Sequence, residues 1–295
     1  MHQTASQNSN ALLSLVKRAD ESGISSIKGI IAGILGVISD ADSTPLELKN
    51  IIEVDPPLAA RVLKVANSPF YGSPRTLSEI DQAIVWIGFD ALKEIVITQK
   101  CNEIFTSHGK EVAGLTRAML WRHSLAVALF AKLIYRWEFG KKGAGAYTAG
   151  LLHDFGFIVL DQLLHNDFAE ILREGTMVRQ SIEEIEQKRL GFDHAMVGGI
   201  LAEHWNFPGE LSAGISHHHS PQNASSEHAL LAQVLFIADC LAFNNELWYG
   251  GIVHGDDKQC HSLCLALNLS EYALNRIIEQ MRIELAQIDD KGYFK

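Results

Sequence analysis

Gly150-Leu151-Leu152-His153-Asp154-Phe155-Gly156-Phe157-Ile158-Val159-Leu160 sets an imidazole and a carboxylate side by side in an otherwise apolar run. Burying that pair is costly unless partners satisfy it. A hydrogen-bond network would do so. A cation would also do so, and only a cation uses an imidazole nitrogen and a carboxylate oxygen as neighbouring ligands. The run has the length and apolarity of a helix, predicted over 146–164.

Working outward, the chain reads as helix after helix. Thr44-Pro45-Leu46-Glu47 combines a capping box with proline at the first helical position, and Asp55-Pro56 repeats that start. Asn67-Ser68-Pro69 stops the second of these short helices. Ser78 begins another that ends at Gly88, and Asp90 caps the next toward Gln99. Further helices are expected over 112–137, 181–190, 194–205, 208–218, 227–243 and 271–286. No alternating strand pattern competes with them, so the expected fold class is all-α. The glycine-rich stretch 29–36 suggests close helix contact, and 244–257 suggests a surface loop before a C-terminal helical extension.

Other segments supply further candidate ligands. His123 lies in a stretch of helical periodicity that continues to Trp137. Asp239 is the only charged group between Glu227 and Glu246, in a segment apolar enough to be a buried helix. His194 follows a cap at Asp193, and His217-His218-His219 precedes Ser220-Pro221. Each has a plain structural alternative: His123 as a hydrogen-bonded core histidine, Asp239 as the cap of a kink or the partner of an arginine. A cluster is the sharper reading.

Composition narrows the function classes. A chain of 295 residues with 47% hydrophobic content can fill a sizeable core. A formal charge of -10 argues against a broad nucleic-acid surface. The first residues lack the pattern of a signal peptide, and no apolar run reaches the roughly 18 residues of a membrane span. A cytoplasmic location is expected, and Cys101, Cys240, Cys260 and Cys264 fit it as free thiols. Cys260, His261, Cys264 and His254 form an alternative zinc set whose spacing is not the usual one.

The order His123, His153-Asp154, Asp239 resembles the HD superfamily of metal-dependent phosphohydrolases. Asp55-Pro56-Pro57-Leu58-Ala59-Ala60-Arg61-Val62-Leu63-Lys64-Val65-Ala66-Asn67-Ser68-Pro69-Phe70-Tyr71-Gly72, followed by Ser78-Glu79-Ile80-Asp81-Gln82-Ala83-Ile84-Val85-Trp86-Ile87-Gly88, is similar to the HDOD signature. That likeness runs over about 44–242. It implies an HD-like helical bundle over 109–243, an N-terminal helical HDOD portion over 1–108 and a C-terminal extension over 244–295. It also implies His123, His153, Asp154 and Asp239 as the basic metal ligands. His194, His218 and His219 match the additional ligands of two-metal HD-GYP members, with His217 a neighbour.

Three departures bear on mechanism. Phe157 stands where HD-GYP phosphodiesterases carry a lysine, and Ser220-Pro221-Gln222 replaces their Gly-Tyr-Pro element. The position of a third-metal carboxylate is Met119. The resemblance therefore implies one or two divalent ions, iron or manganese before zinc or nickel, in a regulator that senses a small phosphorylated ligand or a signalling partner. The alternative is a phosphohydrolase or phosphodiesterase whose metal-bound water attacks phosphorus, with Asp154 as ligand and orienter. Efficient hydrolysis of cyclic di-GMP is not expected.

Overall fold

The computed structural model describes residues 2–22, 32–37, 40, 42–106, 111–178, 180–248 and 257–290. Among them the chain is helical, with no strand beyond an isolated Val112–Leu115 bridge. The N-terminal helices are α1 (His2–Glu21), α2 (Pro45–Glu53), α3 (Pro56–Ala66), α4 (Ile80–Ile87) and α5 (Phe89–Thr106). The central ones are α6 (Arg117–Trp137), α7 (Ala144–Leu152), α8 (Phe155–Leu163), α9 (His165–Met177) and α10 (Ile182–Leu190). They are followed by α11 (His194–His204), α12 (Gly209–His217), α13 (Ala229–Asn244), α14 (Asp257–Ala266) and α15 (Glu271–Asp290). The expectation of an all-α fold holds.

Local chemistry accounts for the N-terminal boundaries. The Thr44 backbone N–H donates to Glu47 Oε2 at 2.7 Å, and the Glu47 N–H returns to Thr44 Oγ1 at 3.4 Å, which completes the capping box. Asp55 Oδ1 accepts from the Leu58 N–H at 3.0 Å and so starts α3. Asn67 ends that helix and then braces the following loop. Its Nδ2 donates to Leu77 O at 2.8 Å while its Oδ1 accepts from the Leu77 N–H at 2.7 Å.

The centre of the bundle is α6, buried along most of its length and packed against α5, α7, α13 and α15. Small residues on both sides let α6 and α7 approach closely. A Cβ on Gly150 would lie 2.4 Å from Ala128 Cα, so only glycine fits that crossing. The crossing sets His123 of α6 opposite His153 at the end of α7, with their ring centroids 5.2 Å apart.

Several boundaries differ from the sequence reading. The helix expected over 146–164 is two, α7 and α8, interrupted at His153 and Asp154. Uniform apolarity conceals the break, because both helices are buried and neither shows a polar face. The helix expected from 112 starts at Arg117, because Thr116 Oγ1 accepts from the Met119 N–H and residues 112–115 close into a turn. Ser78 is not the cap of α4, which begins after Glu79 with no side-chain cap. Asp90 lies inside the first turn of α5 rather than capping it, and α5 runs on to Thr106. Helices α1 and α9 were not anticipated. The Trp205 indole N–H fastens the end of α1 by donating to Asp20 Oδ1 at 3.2 Å. Of the glycine-rich stretch 29–36, residues 32–36 are helical and 29–31 lie outside the described residues. No helix among the described residues is long and apolar enough to cross a membrane.

Candidate metal centre

All seven histidines and aspartates named from the sequence as ligands come together in the middle of the bundle. They form two groups, His123, His153 and Asp239 in one and Asp154, His194, His218 and His219 in the other. The His153-Asp154 pair sits at the α7–α8 break, where the chain leaves helical geometry at Asp154. His123 comes from α6, Asp239 from α13, His194 from the first position of α11, and His218 and His219 from just beyond α12. His217, the last residue of α12, belongs to neither group. Six of the seven side chains are at most 1% exposed, and His219 is half-buried.

Asp154 joins the two groups. Its Oδ2 lies 3.2 Å from His153 Nε2 and 3.5 Å from His123 Nε2, while its Oδ1 lies 3.3 Å from His194 Nε2 and 3.7 Å from His218 Nε2. Asp239 Oδ1 approaches His123 Nε2 at 3.1 Å. His194 and His219 bring their Nε2 atoms within 3.0 Å.

The opposite face of four rings is tied down. Nδ1 of His123 lies 2.8 Å from Leu247 O, Nδ1 of His153 lies 2.8 Å from Gly150 O, and Nδ1 of His218 lies 2.7 Å from Ile215 O. A carbonyl only accepts, so Nδ1 carries the proton in each case and the Nε2 lone pair points inward. His194 is held by a carboxylate instead: its Nδ1–H and its backbone N–H both donate to Glu186 Oε2, at 2.7 and 2.9 Å. Such outer hydrogen bonds fix tautomer and orientation in metal-binding histidines.

The electrostatics follow from burial. Burial pushes the Asp154 carboxyl up, but the imidazoles of His153 and His194 outweigh it and hold the group well below the usual carboxylate range. Burial, reinforced by the neighbouring imidazoles, drives His218 well below its ordinary value, so it is a neutral donor. Burial lowers His194 too, yet Glu186 and Asp154 reverse the shift. Burial raises Glu186 despite its bond to His194.

The donor chemistry fits a divalent cation. The buried Nε2 atoms of His153 and His218 have no hydrogen-bond partner, so their lone pairs face inward without a proton to accept. Mixed imidazole and carboxylate donors suit first-row divalent metals. Glu186, 0% exposed, was not singled out in the sequence. Ile182, Ile185 and Glu186 share one helical face, but in Ile-Glu-Glu-Ile-Glu-Gln-Lys-Arg-Leu a buried glutamate resembles its solvated neighbours. Phe157 stacks on the His194 ring at 3.9 Å, and Trp248 meets the His123 ring edge-on at 4.5 Å. No cysteine joins either group; Cys101, Cys240, Cys260 and Cys264 are free thiols, and His254 lies outside the described residues.

The HDOD domain family matches residues 24–221, about two thirds of the sequence. The chain belongs to the HDOD domain family. The match begins earlier than the signature at 44 suggested and ends before Asp239, so the HDOD region and the histidine–aspartate centre overlap without coinciding. An HDOD domain protein of unknown function from Geobacter sulfurreducens shares 25% identity, with a TM-score of 0.75 over 90% of this chain and 92% of that one. A Shewanella amazonensis protein named as a candidate phosphohydrolase has the same fold, at 24% identity, a TM-score of 0.69 and 96% coverage of both chains. An uncharacterized Treponema pallidum protein is 23% identical over 238 residues, 79% of this chain. The chain spans 44% of that relative's length.

Proposed function

We propose that this HDOD protein is a metal-binding regulator whose histidine–aspartate centre holds two divalent ions, iron or manganese, and which responds to a small phosphorylated ligand or a protein partner. The observation that carries the metal reading is the inward convergence of imidazole Nε2 atoms on both oxygens of Asp154. In this reading His123, His153 and Asp239 would hold one ion and Asp154, His194, His218 and His219 the other. Glu186 and the three carbonyls hold the rings in place.

Burial supports regulation over catalysis. Six of the ligand side chains are at most 1% exposed, and Phe157, at the position where HD-GYP phosphodiesterases carry a lysine, stacks on His194. A phosphohydrolase reading draws support from the donor set and from the name of the Shewanella protein of the same fold. Bound ions would supply charge neutralisation and Lewis acidity for phosphoryl chemistry. The chain's own part in either case is to hold the donors rigid.

Elemental analysis of protein purified without added metal tests the first half. Close to two equivalents of iron or manganese is the expected result, and protein free of metal overturns it. A nucleotidase and phosphodiesterase substrate screen on the loaded protein tests the second. No turnover is expected, cyclic di-GMP included, and rapid turnover of any substrate replaces the regulator with an enzyme.

A further inference from the structure

Of the four rings held at Nδ1, three are tied locally. The carbonyls of Gly150 and Ile215 stand three residues before His153 and His218, and Glu186 stands eight residues before His194. His123 is tied instead to Leu247 O, 124 residues further along the chain. A local tether lasts as long as its own stretch of backbone. The one on His123 lasts only while the segment after α13 stays docked beside α6.

That segment is a tight turn. The Asn245 N–H donates to Leu241 O at 3.1 Å, the Glu246 N–H to Phe243 O at 3.0 Å and the Leu247 N–H to Ala242 O at 2.9 Å. Glu246 adopts φ +61°, a left-handed conformation that residues with a Cβ disfavour, so its surroundings must hold the turn in shape. The turn delivers two groups to His123. The Leu247 carbonyl takes the Nδ1 proton, and the Trp248 indole stands edge-on to the imidazole with centroids 4.5 Å apart.

Helix α15 braces this turn. Asn245 Nδ2 donates back to Leu241 O at 2.8 Å, while its Oδ1 accepts from Arg282 Nη2 at 2.9 Å. Two residues further along α15, Glu284 pairs with Lys132 of α6 at 3.1 Å. Ile277, Met281 and Leu285 are buried along the same helix. α15 therefore grips both the turn that orients His123 and the helix that carries it. The turn, α15 and Asp239 all lie beyond residue 221, where the HDOD match ends.

We infer that residues 245–248 form a positioning clamp for His123, braced by α15, so that docking of the C-terminal extension and ion occupancy of the His123–His153–Asp239 position are coupled. The inference rests on the metal reading above and deepens it by giving regulation of the centre a route. Leu247 O sets the tautomer and aim of the ring, Trp248 limits its tilt, and Arg282 steadies the turn through Asn245. Coupling is reciprocal: a bound ion tightens α15, and whatever loosens α15 weakens the ion. The other position lacks this dependence, because His194 and His218 are tethered locally.

Cobalt(II) titration of the full chain, read by competition against a chromophoric chelator, tests the clamp together with hydrogen exchange of residues 271–290 with and without the ion. The wild type should bind two equivalents, and the ion should slow exchange across α15. Asn245→Ala should weaken one equivalent by about 10-fold, leave the other unchanged and abolish the slowing in α15. Trp248→Ala should weaken the same equivalent, and Trp248→Phe, which keeps an aromatic edge, should restore it. Arg282→Met, at an exposed position that leaves the fold intact, should weaken it severalfold. Wild-type affinity for both ions in Asn245→Ala and Arg282→Met, or α15 exchange indifferent to a bound ion, overturns the clamp. An equal loss of both ions does so too, since it marks a general loosening of the fold. A wild-type chain that takes up no ion refutes the metal centre, and the clamp with it, whereas a loaded chain with unresponsive variants refutes the clamp alone.

Discussion

The two ends of α7 solve opposite problems. Beyond its C-terminus six of the seven side chains are buried and the rings are oriented by protein, three imidazoles by carbonyls and a fourth by Glu186, while the Nε2 atoms of His153 and His218 are left facing inward without a hydrogen-bond partner. At its N-terminus water has access, and Lys141 and Lys142 stand exposed in a cleft that Asp40, Asp90, Glu94 and Glu210 also line. Polar groups left without a partner in a dry site call for a cation to satisfy them, whereas those of a wet cleft can be satisfied by solvent and by one another.

Glycine substitution gives the largest expected contrast between the two ends. A Cβ on Gly156, just past the metal-binding pair, would fall 1.9 Å from the His194 carbonyl oxygen, and backbone cannot step aside. Gly156→Ala should destabilise the protein by about 3 kcal/mol or more, while Gly145→Ala, facing open space, should stabilise it by roughly 0.5–1 kcal/mol. Urea denaturation of both variants measures the difference. Similar midpoints would break the comparison.

Metal removal comes next. A ligand present at about 100 times its Kd adds roughly 2.7 kcal/mol, so the wild type should melt well below its normal temperature in chelator. Asp239→Asn keeps the shape but loses the charge, and it should fold with weakened metal binding and little chelator response. Asp239→Leu removes the buried polar group altogether and serves as the control. An Asn variant with full metal content and the wild-type chelator shift would assign Asp239 to packing.

A subtler effect is expected from behind the site. Glu186→Gln can still accept from His194 but carries no charge, and metal affinity should fall by about 10- to 100-fold with the fold retained. Competition against a chromophoric chelator reads this directly. Unchanged affinity would reduce Glu186 to a packing role.

The smallest effect lies far from both ends, in the partly solvated pair of Asp55 and Lys100, 2.5 Å apart. Burial raises Asp55, but the Lys100 ammonium and the Leu58 N–H outweigh it and keep the carboxyl below its ordinary 3.8. A depressed folded value means stability that is present above about 3.8 and lost as pH falls through the folded value. Solvent screening keeps this below about 1 kcal/mol. Asp55→Asn, which retains a capping oxygen, should therefore lose less stability than the wild type between pH 7 and pH 2.5. Equal losses would show that the pair contributes nothing.

The sequence by itself determined the helical class, most helix positions and the identity of the clustered side chains. Those features are carried by local signals: the capping box at Thr44 and the N-cap at Asp55, apolar periodicity, and the oddity of His153-Asp154 and Asp239 in segments that should be buried. Tertiary structure alone decided the rest. The break between α7 and α8 is invisible in a run that is apolar on all sides, because packing around the pair, rather than any turn residue, interrupts the helix. Glu186 looked like its solvated neighbours until α10 met α11, since burial of one face depends on what covers it. Residue types are written in the chain, but which charges are neutralised depends on distances between segments far apart in it, and those distances are fixed by packing.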